Sequence, residues 1–340
     1  MRSALIAVAL LLLPIAVRAQ VQEEIFVERI IVDARVMDRN AEPLLGLTTN
    51  DFRVTIDGKP AEVEAVDWVV DSPAAQRAHP ELAPPAADGV RGRNFVFFFQ
   101  TDFGRAAVRV HGQMEFLSWA DEFLSMLEPE DRVAVVQFDS HLKLRLDFTT
   151  DRAALLAAMR DTLKIDDPPP PPPADAPALA PLLDRQELAN VTSVDHAFQL
   201  LAKALYQIDG AKTMLVFGYG FGTLTGAKVG APEVILPPDY GVTRGMLATA
   251  RVTVFSMNAM HGNQLATALK LLASDTGGFY AVPRRFADVQ GQLARALVGH
   301  YELEVRKPST PTDGGHTINV QVKQKRAFAV MARKTYVDQP

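Results

Sequence analysis

The stretch "NFVFFFQTDFG", residues 94–104, decides the fold. From Phe95 to Phe99 it is wholly apolar and mostly aromatic, with no alternating polar residue to mark a solvent face. A strand that buries both of its faces reads this way. A polar triplet, Gly104 and Arg105 follow, and then a helical pattern. In open α/β sheets the loop after such a strand, at its carboxyl end, is where ligands bind.

Working outward, the same kind of strand recurs at "RVAVVQF" (132–138), "KTMLVFG" (212–218) and "RVTVFSMNA" (251–259). "HLKLRLDF" (141–148) alternates and reads as an edge strand, and "FYAV" (279–282) as a short one. Helical segments lie between them. Met114, Leu117, Phe123, Leu124 and Leu127 share one helical face, "TDRAALLAAMRDTL" (150–163) opens with a Thr/Asp cap, and "TSVDHAFQLLAKALYQI" (192–208) is amphipathic. "VTRGMLATA", "NQLATALKLLASDTGG" and "FADVQGQLARALVGH" complete the series. Strand–helix alternation with continuous apolar strands predicts a doubly wound, mostly parallel, Rossmann-like α/β sheet over 91–299.

On either side the pattern is β. "IFVERIIVDARVMD" (25–38), "FRVTI" (52–56) and "AEVEAVDWV" (61–69) precede it, with Asp57-Gly58 as a hairpin signal. "YELEVRK", "HTINVQVKQ" and "AFAVMARKTYV" follow from Tyr301 to Val337. A few strands alone are marginal, so segments 24–70 and 300–337 are expected either to combine into one smaller β domain or to pack separately on the α/β unit. Residues 71–90, rich in Ala and Pro, read as a linker. The proline run in "DDPPPPPPADAPALAP" (166–181) reads as a surface insertion, with a spacer favoured over a ligand for proline-binding domains.

Bulk properties narrow the function. The chain has 340 residues, is 48% hydrophobic and carries a net charge of −5. Without a basic excess it is not expected to bind nucleic acid. It has no cysteine, which removes disulfides, thiolate metal sites and cysteine nucleophiles. Residues 1–19 read as a secretory signal: Arg2, an apolar core from Ala4 to Leu13, and small residues Val17 and Ala19 before the cut. The rest has no apolar run long enough to span a bilayer, so a periplasmic or secreted location is expected.

The order of these pieces resembles the von Willebrand factor A (VWA) domain, and in particular the VWFA-related proteins typical of Acidobacteria. The resemblance rests on "VDARVMDRNAEPLLGLTTNDFRVTIDGKPAEVEAVDWV", "NFVFFFQTDFG", "RVAVVQFDSHLKLRLDFTTDRAALLAAM", "ASDTGGFYAV" and the tail ending in "ARKTYV". It implies a site at the carboxyl ends of the strands. There the family holds a divalent cation with an Asp-x-Ser-x-Ser loop, a Thr from a second loop and an Asp from a third. A hard cation such as Mg²⁺ demands an octahedral set of oxygens.

This sequence departs from that pattern at the ligands. The first-loop positions fall on Gln100, Asp102 and Gly104, or, two residues later, on Asp102, Gly104 and Ala106. Thr192 matches the second-loop threonine, with Asp195 nearby, and Tyr219 stands where the third-loop Asp belongs. The remaining donors, Asp102 and Thr192, would hold Mg²⁺ or Mn²⁺ weakly, and Arg105 opposes a metal. The sequence therefore predicts a degenerate, non-catalytic site with no cofactor. It would contact a protein partner directly through Gln100, Asp102, Gly104, Arg105 (or Arg109), Thr192, Asp195, Tyr219 and Phe221. An intact but atypical cation-dependent module and a hydrolase using the same cleft are the alternatives. "GYGFGTLTG" (218–226) fits no nucleotide motif and reads as a flexible loop that shapes the recognition surface. His196 at a helix start reads as a surface or capping residue. "DTG" (275–277) resembles the aspartic-protease triplet but stands alone at a helix end, and no G-x-S-x-G elbow occurs.

Overall fold

A computed structural model describes residues 28–82, 90–102, 114, 116–169, 171–172, 177–225, 233–258, 264–283, 285, 287–307 and 314–337. The chain opens with strands β1 (Arg29–Met37), β2 (Phe52–Ile56), β3 (Lys59–Ala61) and β4 (Val63–Val70), then helix α1 (Pro73–Ala78). The α/β series follows: β5 (Asn94–Gln100), α2 (Ala120–Met126), β6 (Arg132–Phe138), β7 (Leu142–Thr149), α3 (Arg152–Asp161), α4 (Arg185–Asn190), α5 (Val194–Tyr206) and β8 (Lys212–Gly218). After it come β9 (Thr223–Leu224), β10 (Val234–Ile235), α6 (Tyr240–Thr249), β11 (Val252–Asn258), α7 (Ala266–Asp275), β12 (Tyr280–Ala281) and α8 (Ala287–Ala296). The tail is β13 (Gly299–Arg306), β14 (Gly315–Val322), β15 (Ala329–Ala332) and β16 (Thr335–Val337).

The central sheet has the order β7-β6-β5-β8-β11-β12. All neighbours are parallel except β7, which runs antiparallel beside β6. In chain order this is 3-2-1-4-5-6, the doubly wound arrangement, whose direction of winding reverses between β5 and β8. The aromatic run explains why β5 is central. Phe95, Phe97 and Phe99 enter one core with Phe116, Phe123 and Phe217, while Val96 and Phe98 enter the opposite core with Phe198. Phe97 meets Phe217 edge-on at 5.8 Å, and on the other face Phe98 meets Phe198 at 4.8 Å.

The flanking strands share two further sheets, β15-β1-β13-β4 and β16-β14-β2-β3. Each mixes strands from both ends of the chain: β1 and β4 pair with β13, and β2 pairs with β14. Between them lies one core that includes Val32, Ala34, Phe52, Val54, Ile56, Tyr301, Leu303 and Ile318. The N- and C-terminal strands therefore build one sandwich rather than two separate packings.

Two stretches read from sequence as loose are in part structured. In the 71–90 stretch the described residues 71–82 hold a helix and a short 3-10 turn. Ser72 accepts from Ala75 N and Pro73 begins α1, a standard helix start. The proline-rich insertion is tied at both described ends by alternate residues of β7, as detailed below. Among the described residues no helix is long and apolar enough to cross a membrane.

Arginines fasten the sandwich to the α/β unit. Arg35 of β1 donates to Ala296 O at 2.8 Å and to Thr253 Oγ1 at 3.1 Å. Arg333 donates to Ala248 O at 2.6 Å and to Ile31 O. Ala296 and Ala248 lie in the last turns of α8 and α6, where unsatisfied carbonyls and the helix dipole favour a cation. "DTG" belongs to the same joint. Thr276 bridges to Arg333, and Gly277 (φ +81) sits where a Cβ would meet the Ala332 carbonyl carbon at 2.9 Å.

Candidate functional site

The winding reverses between β5 and β8, so the crevice to inspect lies at Gln100 and Gly218, their last residues. Gln100 is 1% exposed and is bonded at both ends of its amide to the loop after β8. Its Oε1 accepts from Tyr219 N and Gly220 N, each at 3.2 Å, and its Nε2 donates to Gly220 O at 2.7 Å. Glycine makes this closure feasible. A Cβ on Gly218 would lie 2.5 Å from Gln100 Oε1, and one on Gly220 (φ +127) would lie 2.1 Å from Leu265 O. The glycine-rich segment 218–222 is thus a packed joint, not the flexible loop its composition suggests.

Beyond Gln100 the Tyr219 hydroxyl donates to Asp102 Oδ1 at 2.8 Å and to Asp102 O at 3.2 Å. Burial raises the Asp102 carboxyl above its ordinary value, against the bonds from Tyr219 and Gln100 and aided by the nearby Asp139 charge. Burial and then the Asp102 charge push the Tyr219 hydroxyl far up, so it stays a neutral donor. Among the described residues no cation is paired with Asp102. Thr101, between Gln100 and Asp102, is buried and accepts from Gln137 Nε2 at 2.9 Å.

These groups do not fit a hard divalent cation. Both oxygens that would replace an Asp and a Thr-Asp-Gly carboxylate, Gln100 Oε1 and Tyr219 Oη, are committed to internal hydrogen bonds, and Tyr219 is protonated. Asp102 is the one charged oxygen donor that the first and third loops supply among the described residues.

The remaining sequence candidates distribute unevenly. Thr192 is exposed, one residue before Ser193, whose hydroxyl caps α5. Asp195 is half-buried in that helix's first turn, and His196 is exposed, its N–H on Ser193 Oγ at 3.4 Å. Phe221 is not a recognition aromatic. It is 5% exposed and packs in the core, 5.8 Å from Phe198 and 6.2 Å from Tyr240, because the glycines on either side turn it inward. Gly104, Arg105 and Arg109 lie outside the described residues.

Sequence reading missed the inward charges of β7. Lys143 (side chain 2% exposed) donates from Nζ to Asp139 Oδ2 at 2.7 Å, Ile165 O at 2.9 Å and Asp166 O at 3.1 Å. Arg145 Nε donates to Gln137 Oε1 at 2.7 Å, and its other nitrogens reach Lys164 O and Asp166. Asp147 accepts from Leu179 N at 2.7 Å and Ala180 N at 2.8 Å. Two register shifts along β7 break its alternation, so Leu142, Leu144 and Phe148 enter one core and Leu146 packs against the other; the K-x-R-x-D spacing in "HLKLRLDF" was the available signal.

Beside this grip His141 bridges Ser140 and Asp167, with Nδ1 3.0 Å from Ser140 Oγ and Nε2 2.8 Å from Asp167 Oδ1. A cavity of about 280 Å³ adjoins it, lined by His141, Asp167, Leu142, Leu144, Leu183 and Leu188 among others. Ser140 does not line that cavity, and its hydroxyl also contacts Asp139 Oδ1 at 3.1 Å.

Among the described residues one group of metal-type ligands converges: atoms of Asp33, His300 and Glu302 lie within 4.8 Å of one another. Arg251 already fills it. Its Nη2 bonds Asp33 Oδ1 at 2.6 Å and also Glu302 Oε1, so the group is an ion-pair network with a resident guanidinium.

Strand order, the single antiparallel edge and the loop end at the reversal define the class: a doubly wound α/β domain. Comparison with solved structures gives distant likenesses. An aerotolerance-related membrane protein from Bacteroides fragilis is 10% identical over 61% of this chain and 98% of its own, with a TM-score of 0.40. A von Willebrand factor type A protein from Catenulispora acidiphila is 11% identical over 84% of this chain and 73% of its own, also at 0.40. Proximal thread matrix protein 1 from the mussel byssus, with zinc in its MIDAS motif, is 9% identical over 64% of this chain and 48% of its own, again at 0.40. No family model and no curated protein matches the chain.

Proposed function

We propose that this protein is an exported, non-catalytic interaction module in which the α/β domain, 91–299, is inserted between the strands of the sandwich. It would bind a protein partner through the loop end of the central sheet without a bridging cation. One observation carries this reading: the Gln100–Tyr219–Asp102 hydrogen bonds occupy, with neutral donors, the positions where the family resemblance implies metal ligands. Asp102, partly desolvated and without a paired cation among the described residues, and the Tyr219 ring are the groups offered for direct contact. Residues 1–19 supply the export signal in this reading.

The Ser140–His141–Asp167 chain is what a hydrolase reading would use. The position of Ser140 outside the cavity speaks against it, because a nucleophile must face the space its substrate fills.

The test is titration of the full chain with Mg²⁺ and Mn²⁺ by calorimetry, beside affinity capture with and without EDTA. The expected result is no micromolar binding and the same captured partner in both buffers. Micromolar binding abolished by Asp102→Ala, or capture lost with EDTA, would overturn the reading.

A further inference from the structure

The cluster around His300 does something the loop end does not. His300 is the second residue of β13, is 1% exposed, and has a carboxylate at each ring nitrogen. Nδ1 lies 2.8 Å from Asp71 Oδ2, and Nε2 lies 3.5 Å from Asp33 Oδ1 and 3.6 Å from Glu302 Oε1. These carboxylates all belong to the sandwich or its α1 connection. Asp33 and Glu302 share a cation, Arg251, which belongs to the α/β unit and stands just before β11. The ring therefore sits behind the joint, against the same Asp33 and Glu302 carboxylates that Arg251 of the α/β unit binds.

Its charge follows from the surroundings. Glu302 on its own strand, Asp33 on β1 and Asp71 after β4 face it as anions; Arg251, and Arg35 at 3.9 Å from Asp71, face them as cations. Lys212 at the start of β8 and Arg333 in the tail act on Asp33, while Asp67, Arg91, Arg93 and Asp209 line the adjoining cavity of about 550 Å³. A neutral ring would turn one bare nitrogen toward a buried carboxylate, setting lone pair against lone pair. A doubly protonated ring gives each nitrogen a proton for an acceptor and balances the three carboxylates against Arg35, Arg251 and itself.

We propose that His300 is held as an imidazolium at neutral pH and acts as a pH-dependent latch joining the sandwich to the α/β domain. Burial alone would lower its pKa, yet the charge and hydrogen bond of Asp71, with the Asp33 and Glu302 carboxylates close to Nε2, raise it well above 6.5. The sign is that of a raised histidine. The latch is complete below the unfolded value near 6.5, weakens above it, and is gone once pH exceeds the folded value. Alkaline conditions loosen the joint, and acid conditions down to the carboxylate range do not.

The test is NMR of the full chain labelled at histidine, with the His300 signals identified by their loss in His300→Gln. At about pH 7.5 an ordinary imidazole is about nine-tenths neutral. The expected His300 ring shows imidazolium nitrogen and Cε1 shifts there and a midpoint well above 7. Neutral-ring shifts at that pH would overturn the proposal. In parallel, the thermal deficit of His300→Gln should be largest near pH 6 and shrink as pH rises. A deficit constant with pH would mean a packing role only and would also overturn it. Should that variant fail to fold, Asp71→Asn identifies the ring instead, and its midpoint should fall by a pH unit or more. An unmoved midpoint counts against the latch.

Discussion

At the scale of single residues the loop end is closed by internal hydrogen bonds: Gln100 bonds Gly220, and the Tyr219 hydroxyl bonds Asp102. The sequence marked Gln100, Asp102 and Tyr219 as candidates. It did not show that Gln100 would be sealed by the amides of Tyr219 and Gly220, since that depends on Gly218 and Gly220 leaving room across the sheet. Nor did it show Phe221 turning inward, because alternation in a short glycine-rich loop does not fix a face. Asp102 is the residue that this arrangement leaves at a cost. Its carboxyl is raised by burial, so the charged form destabilises the fold above that raised value, and stability grows as pH falls through it. Asp102→Asn removes the charge and keeps an acceptor for Tyr219. The expected outcome is a melting temperature higher by about 1–3 °C near neutral pH, with the difference from the parent closing under acid conditions. Differential scanning calorimetry at two pH values checks it. A loss of stability would mean the carboxylate is better satisfied than the bonds around it indicate.

At the scale of elements, β7 shows how an edge strand can organise a loop. The sequence made it an edge strand, and it is one, but between its core-packed Leu142, Leu144 and Phe148 it carries Lys143, Arg145 and Asp147 in internal bonds. They mark where the proline-rich insertion leaves and rejoins the domain. The cations take the carbonyls of Lys164, Ile165 and Asp166 at its start; Asp147 takes the amides of Leu179 and Ala180 at its end. The described ends of the insertion are therefore anchored to the domain. Asp147→Ala removes the carboxylate that accepts from the buried Leu179 and Phe148 amides and the part-buried Ala180 amide, at about 1–3 kcal/mol for each buried group left unpaired. It should destabilise the chain by several kcal/mol at most, and it should speed proteolysis between residues 166 and 180 more than global unfolding explains. Limited proteolysis with mass spectrometry, compared with Phe97→Ala as a purely global destabiliser, separates the two effects. Equal acceleration at all sites in both variants would show that Asp147 has no local role.

At the scale of the whole molecule, what was legible was what hydrophobic period controls. Continuous apolar strands gave the parallel sheet, and alternating strands at both ends gave β structure whose partners were left open between joint and separate packing. The joint answer rests on register pairs such as Val32 with Leu303 and Val54 with Val320, which no local pattern specifies. The charges across the joint were less legible still, because Arg35, Arg251, His300 and Arg333 are far apart in sequence and meet only after both halves have formed. That geometry has a thermodynamic consequence. Two cores meeting along an interface rich in buried ion pairs melt together only while the pairs hold, since breaking one partner leaves an uncompensated buried charge worth about 3–5 kcal/mol. Arg251 spans the joint through ion pairs, contacting Asp33 and Glu302 of the sandwich from just before β11, whereas Arg35 and Arg333 cross it to uncharged acceptors. Arg251→Ala should therefore split the unfolding of the chain. The parent is expected to show one calorimetric transition, with van 't Hoff and calorimetric enthalpies equal. The variant should show two, the lower belonging to the half whose tryptophan or tyrosine signal changes first. Trp68 and Tyr301 report the sandwich and Trp119 reports the α/β core, so fluorescence from a Trp119→Phe background against a Trp68→Phe background assigns the order. A single transition, shifted down but with enthalpies still equal, would show that the apolar contacts of Met37, Ala329 and Met331 with the α/β core are enough to couple the halves without the charges.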